Sequence, residues 1–262
     1  MKSRLMAMIL IGIVAIASAI VLVSRNGYAQ QDRELVFAGT SIHHLAGTDG
    51  LGRDRLVRVA VALMLSLGGA LAAAAVTTFL AAGMGTIAAF SPALLGKLAM
   101  LLCDVFLALP WLFLLMIVRS GLPLTTSPGY SAAITFFVLA ALGWPACARA
   151  IYRGALNLRT SDWMLYCRAA GLRRRQFFHH LIPNMTPLLV PQFLICVPSF
   201  VIAEANLGAI GLGVGEPLPS WGGMLLELGN SALLMRTRWV YLPIITLIVV
   251  LLLLEGIAER FD

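Results

Sequence analysis

Charge is scarce in this chain. Only 12% of its 262 residues are charged against 60% hydrophobic, and mean hydropathy is +0.91. That balance excludes an ordinary soluble domain and points to segments that live in hydrocarbon. Acids are scarcer than bases, twelve against nineteen, for a net +7. In a soluble protein such a surplus would suggest nucleic acid. Here it is concentrated in one loop, as positive-inside topology requires, and no nucleic-acid partner is expected. The four cysteines, Cys103, Cys147, Cys167 and Cys196, show neither close pairing nor metal-ligand spacing nor a secreted framework. They read as reduced packing residues with no redox or metal role. No GxxxxGK[ST] phosphate loop is present, so ATP hydrolysis by this chain is not expected. No His/Cys cluster in the spans selects a metal, and no cofactor is expected.

What the chain has is long apolar runs. About 20 helical residues cross a hydrocarbon core roughly 30 Å thick. The runs predict an all-α polytopic membrane protein with about six spans, near 6–23, 59–82, 98–118, 131–147, 185–206 and 239–257. Lys2 and Arg4 precede the first and place the N-terminus in the cytoplasm. Alternation then puts 83–97, 148–184 and the C-terminus inside, with 24–58, 119–130 and 207–238 outside. The first run, followed by GYAQ at 27–30, also reads as a secretory signal. It is long for a signal core, so a retained helix is the expectation. The expected division is an N-terminal helix and external segment over 1–58, then a core of five spans over 59–262.

Several polar or helix-breaking residues fall where they are expensive. Asp104 lies inside the third span and Glu204 near the outer end of the fifth. A carboxylate at a helix centre costs about 2.5–3.5 kcal/mol on insertion scales, so such groups face a bundle interior or a cavity. Each has two readings, a polar route or gate and a structural hydrogen bond between helices. They are too few for a proton relay. Pro187, Pro191 and Pro198 punctuate the fifth span, and Pro110 the third, which suits either a mobile pathway helix or a static kink. From 207 to 238, Gly208, Gly211, Gly213, Gly215, Pro217 and Pro219 argue against a plain helix. This apolar, turn-rich stretch, with Trp221, is expected to pack into the outer mouth of a pathway.

Residues 148–184 hold seven arginines (Arg149, Arg153, Arg159, Arg168, Arg173, Arg174 and Arg175) against one acid, Asp162, a net +6. The stretch reads as helical with breaks at Gly154 and Gly171. Within 172–182, Leu172, Phe177, Phe178, Leu181 and Ile182 lie at spacings compatible with one side of a short helix. Such a helix suits either anionic lipid headgroups or a groove on a soluble partner.

Five segments, in order, give the chain a resemblance. RAAGLRRRQFFHHLIPN (168–184) resembles the second half of the cytoplasmic loop of permease subunits of ABC importers in the dipeptide/oligopeptide/nickel group. AGTDGLGRDRLVR (46–58) and AEANLGAIGLGVGEPLPSWGGML (203–225) resemble two further signatures of that family. CDVFLALP (103–110) and GWPACAR (143–149) also fit. The resemblance covers about residues 40 to 262. It implies the type I importer permease fold and half of a translocation pathway for peptides or similar solutes. It also implies a homologous second permease, one or two ABC ATPase subunits, an external solute-binding protein and a bacterial or archaeal inner membrane. On this resemblance Gly171, Leu172, Arg173, Arg174, Arg175, Phe177, Phe178, Leu181, Ile182 and Pro183 form the ATPase-coupling element. Asp104, Glu204, Gly211, Gly213 and Trp221 are the pathway or gate candidates. One departure stands out: the family's Glu-Ala-Ala element is Leu165, Tyr166 and Cys167 here, so its acid is absent.

Overall fold

The computed structural model describes residues 2–24, 27–121, 127–171, 174–229 and 238–260. Among them the regular elements are helices: α1 (Lys2–Val23), α2 (Arg55–Phe90), α3 (Ala93–Ala108), α4 (Trp111–Ser120), α5 (Pro128–Arg159), α6 (Asp162–Ala169), α7 (Arg174–Ala209), α8 (Trp221–Leu225) and α9 (Leu242–Ala258). Five described stretches are long and apolar enough to cross a membrane: Lys2–Val23, Arg55–Phe90, Pro128–Arg159, Leu181–Ala209 and Arg238–Ala258. Each matches one of the expected spans.

The remaining expected span, 98–118, is two helices. α3 ends at Ala108, Leu109 is extended, and α4 starts after Pro110. Proline disfavours helical backbone in the residue before it and has no amide to continue the ladder, so the break falls there. The loop expected at 83–97 is largely helix. α2 runs to Phe90, and only Ser91 and Pro92 separate it from α3. At 36 residues α2 is about 54 Å long, well beyond a hydrocarbon core.

α2 is the centre of the bundle and packs against α1, α5 and α7. Its buried side is built from small residues, among them Ala62, Ser66, Ala70, Ala74, Thr77, Ala81, Gly85 and Ala89. Small side chains let helix backbones approach closely, which gives the van der Waals contact that drives association when lipid is as apolar as the interface. A Cβ on Gly85 would sit 2.8 Å from the Ala148 carbonyl oxygen of α5. Faces turned away from the bundle stay apolar, as Ile11, Phe79, Ile87 and Leu252 show. α1 packs on both α2 and α9, and Met6 lies against Gly256.

The break expected at Gly154 does not occur. α5 continues to Arg159 because Gly154 is the point where the Leu188 side chain of α7 packs against it. The separate short helix expected over 172–182 is likewise absent. From Arg174 the chain is one helix to Ala209, with Pro183, Pro187, Pro191 and Pro198 inside it. Each proline leaves a carbonyl one turn back without its helical donor. Neighbouring helices make this tolerable in a membrane.

Glycines on the packed side of α2 should respond differently from those on its open side. Gly85→Val is expected to push α5 away and cost about 1–3 kcal/mol, the range for overpacking. Nothing lies within 4 Å of the Cβ position of Gly68. Gly68→Ala should therefore be neutral or stabilise by up to about 1 kcal/mol through helix propensity. Thermal unfolding in mild detergent separates the two.

Candidate functional site

One end of the bundle is closed by a charge cluster. Asp49 Oδ1 accepts the Leu51 and Arg53 amides, both at 2.9 Å, which folds 49–53 into a tight turn. Gly52 completes it at φ +74, where its α-carbon packs so closely on the Asp32 backbone that no side chain fits. Asp54 then caps α2 by accepting the Val57 amide at 3.0 Å, and His44 Nδ1 lies 2.8 Å from its other oxygen.

The turn aims three arginines at the 210–229 stretch. Arg53 Nε donates to Asp49 at 2.7 Å, and its terminal nitrogen to Glu216 at 2.7 Å. Arg58 donates to the other Glu216 oxygen at 2.9 Å and to the Pro217 carbonyl at 3.3 Å. Arg55 reaches Glu227 at 3.0 Å. Burial works against the Asp49 carboxylate, but the Arg53 and Leu51 amides and the Arg53 guanidinium outweigh it. Asp49 therefore titrates below the ordinary carboxylate range. Sequence reasoning used these residues only as marks of resemblance. A dense alternation of acids and bases over 49–58, in a chain so poor in charge, was the signal available.

Four of the five pathway or gate candidates meet beneath this cluster. Glu204 is fully buried on α7 and accepts the Ser66 hydroxyl of α2 at 2.9 Å. That hydroxyl in turn accepts the Trp221 amide at 3.3 Å. Trp221 is also fully buried, and its indole donates to Thr246 of α9 at 3.3 Å. Gly211 turns the chain out of α7 at φ +81, and its amide returns to the Gly208 carbonyl at 2.9 Å. Gly213 and Gly222 then pack directly on Gly208, backbone to backbone. The 210–225 stretch is a plug wedged between α2, α7 and α9.

Asp104 lies elsewhere, on α3, in an ion pair with Arg149 of α5 at 2.8 Å. The pair is half open, with Asp104 49% and Arg149 40% exposed. Close to it Phe106 meets Trp144 at a tilt, ring centres 5.7 Å apart. A separate cavity of about 440 Å³ lies between α3, α5 and α7, where Gln192 and Ser199 stand among apolar side chains; Phe106 and Cys147 on its wall are each two residues along from a member of the pair. Cys147 and Cys196, unpaired by sequence spacing, are in contact on its wall, sulfur to sulfur 2.9 Å.

At the opposite end Arg159, the last residue of α5, donates to the Ala89 carbonyl of α2 at 2.9 Å. Thr160 and Ser161 turn the chain into α6, and Gly171 leaves it at φ +62, a backbone that favours glycine. Met164 and Cys167 are buried, while Leu165 and Tyr166, in place of Glu and Ala, are exposed. Leu172 and Arg173 lie outside the described residues, as do the side chains of Arg174, Arg175, Phe177 and Phe178. Ile182 is 65% exposed and Pro183 is open, so both are free to meet a partner. Leu181, of the same element, is 2% exposed and belongs to the core.

Residues 81–262 match the family described as the binding-protein-dependent transport system inner membrane component. The chain is 31% identical over 230 residues to the di/tripeptide transport system permease protein of Pseudomonas aeruginosa, covering 86% of this chain and 73% of that one. It is 28% identical over 203 residues to the oligopeptide transport system permease protein of Haemophilus influenzae, covering 76% and 63%. With the dipeptide transport system permease protein of Alkalihalophilus pseudofirmus it shares 26% over 225 residues, covering 83% and 72%.

Two outcomes are expected of this site. Because the Asp49 pKa is depressed on folding, its contribution is present above the unfolded carboxylate range and is lost as pH falls through the folded value. Unfolding temperature measured against pH should fall on strong acidification for the wild type. Asp49→Asn should start lower at neutral pH and lack that part of the fall. In the plug, Glu204→Ala strands the Ser66 hydroxyl and should cost about 1–3 kcal/mol, whereas Glu204→Gln keeps an acceptor and should cost less. Equal losses in thermal unfolding would count against the Ser66 contact.

Proposed function

This chain belongs to the binding-protein-dependent transport system inner membrane component family, and on that premise we propose that it is half of the pathway of an ATP-driven peptide importer. It is a multi-pass membrane transport subunit, and ATP hydrolysis resides on separate subunits.

The half-open Asp104–Arg149 pair between α3 and α5 carries the reading. Much of the remaining outward surface is apolar, as Phe79, Ile87 and Leu252 show. A charge turned to lipid is costly, so intramembrane ion pairs face a bundle interior or a watery route. This face therefore belongs to the solute route, with its open side completed by a homologous second permease. The Glu204–Trp221 plug, with the Gly211 turn and Gly213, closes the route at one end.

Charge supports the orientation. Lys2 and Arg4 begin α1, and alternation along the helices brings that end together with the arginine-rich stretch around α6. The positive-inside rule puts both in the cytoplasm, and with them the C-terminus. The Asp49–Glu216 end then faces outward, where a solute-binding protein would deliver peptide. At the cytoplasmic end α6 and the first turns of α7 meet the ATPases. Leu172, Phe177, Phe178 and Ile182 anchor the contact, Arg173, Arg174 and Arg175 rim it, and Gly171 and Pro183 bound it. Exposed Leu165 and Tyr166 extend the apolar surface where the family acid is absent.

Extraction in mild detergent should bring ATPase subunits along with this chain, and a chain that purifies alone would favour a lipid-binding scaffold instead. In reconstituted vesicles Phe178→Asp should leave the protein in the membrane but abolish the coupling of ATP hydrolysis to peptide uptake. Intact coupling in that variant would remove Phe178 from the contact.

A further inference from the structure

The juxtaposition of Cys147 and Cys196 has no role in the transport reading. They are 49 residues apart, on different helices, and are buried with their sulfurs 2.9 Å apart. A disulfide needs sulfurs about 2.05 Å apart, so closing one asks for an approach of under about 1 Å. Both thiols line the cavity of about 440 Å³ between α3, α5 and α7, which has room for a small oxidant and offers it Gln192 and Ser199 as hydrogen-bonding groups. Each cysteine also lies two residues from an intrahelical proline, Pro145 in α5 and Pro198 in α7. Those are points where the helical ladder lacks a donor and the helices bend most easily.

We propose that Cys147 and Cys196 form an oxidation site, closed by hydrogen peroxide into a disulfide that staples α5 to α7 across their proline bends. One sulfur, as its thiolate, attacks a peroxide oxygen. The O–O bond breaks, the leaving hydroxide takes the proton that this thiol gave up and departs as water, and that cysteine becomes a sulfenic acid. The second sulfur attacks the first, the S–O bond breaks, and a second water leaves with the proton of the second thiol. Two thiols are oxidised by two electrons in all, and one peroxide is reduced to two waters. The staple holds α5 and α7 in one arrangement, and so arrests any transport step in which they move apart. That last consequence rests on the permease reading; the oxidation chemistry does not.

The test uses the full chain with its partner subunits in vesicles, treated with hydrogen peroxide. Mass spectrometry without reductant should find the Cys147 and Cys196 peptides joined, with the chain lighter by two hydrogens and restored by dithiothreitol. ATP-driven uptake should be lost and recovered in step. Cys147→Ser and Cys196→Ser, or the alanine variants where serine disturbs folding, should show neither the joined peptides nor the loss. Both thiols remaining open to alkylation after peroxide that fully oxidises added glutathione would overturn the site, as would conversion of each to a separate sulfinic acid. A joined pair with uptake intact would overturn the lock alone. Failure of the permease reading would show separately, as untreated vesicles without ATP-driven uptake.

Discussion

A backbone near hydrocarbon has to keep its amides and carbonyls paired, and this constraint shapes the departures from helix at the capped end of the bundle. At the capped end, one carboxylate, Asp49, takes two main-chain amides and a guanidinium, so a turn of five residues holds without any helical ladder. The same arginines carry the order across to Glu216 and Pro217 in the irregular 210–220 stretch. Beneath them, Ser66 passes the Trp221 amide on to Glu204. Charge is scarce in this chain because its long helices are apolar enough to cross a membrane. Much of the charge near the capped end is spent on holding non-helical backbone.

Within the bundle the controlling factor is side-chain size. The small residues of α2 bring α5 and α7 close, and the contacts that matter chemically follow from that approach. Asp104 reaches Arg149, Glu204 reaches Ser66, and Cys147 meets Cys196. α7 runs through the Glu204 and Cys196 contacts with four prolines inside it, and it is also the helix connecting the plug to the arginine-rich end. A helix of that kind joins the two ends mechanically while leaving bends along its length.

Much of the fold could be read from local properties. Hydropathy summed over about 20 residues identifies a span whatever surrounds it. Pro110 marked the break in the third span, but hydropathy alone averaged across it. Glu204, Gly211, Gly213 and Trp221 were legible because glycine, proline and a buried acid are anomalous next to apolar runs. Gly154 misled for the opposite reason: its lack of a side chain serves the packing of Leu188 and does not end the helix. The burial of Leu181 was not legible, because an apolar residue in a basic stretch serves a core as well as a docking surface.

By itself, the amino-acid sequence determined that this is an all-helical membrane protein, where most of its spans lie, which loop holds the positive charge and which family it resembles. These depend on composition and spacing within short windows. Only the tertiary structure decided that Asp104 has a cationic partner, that Arg53 and Arg58 clasp Glu216, and that two cysteines 49 residues apart touch. Such pairings depend on how each helix is rotated and which helix it lies against. Those are set by the sum of many small packing contacts, which no single segment of sequence contains.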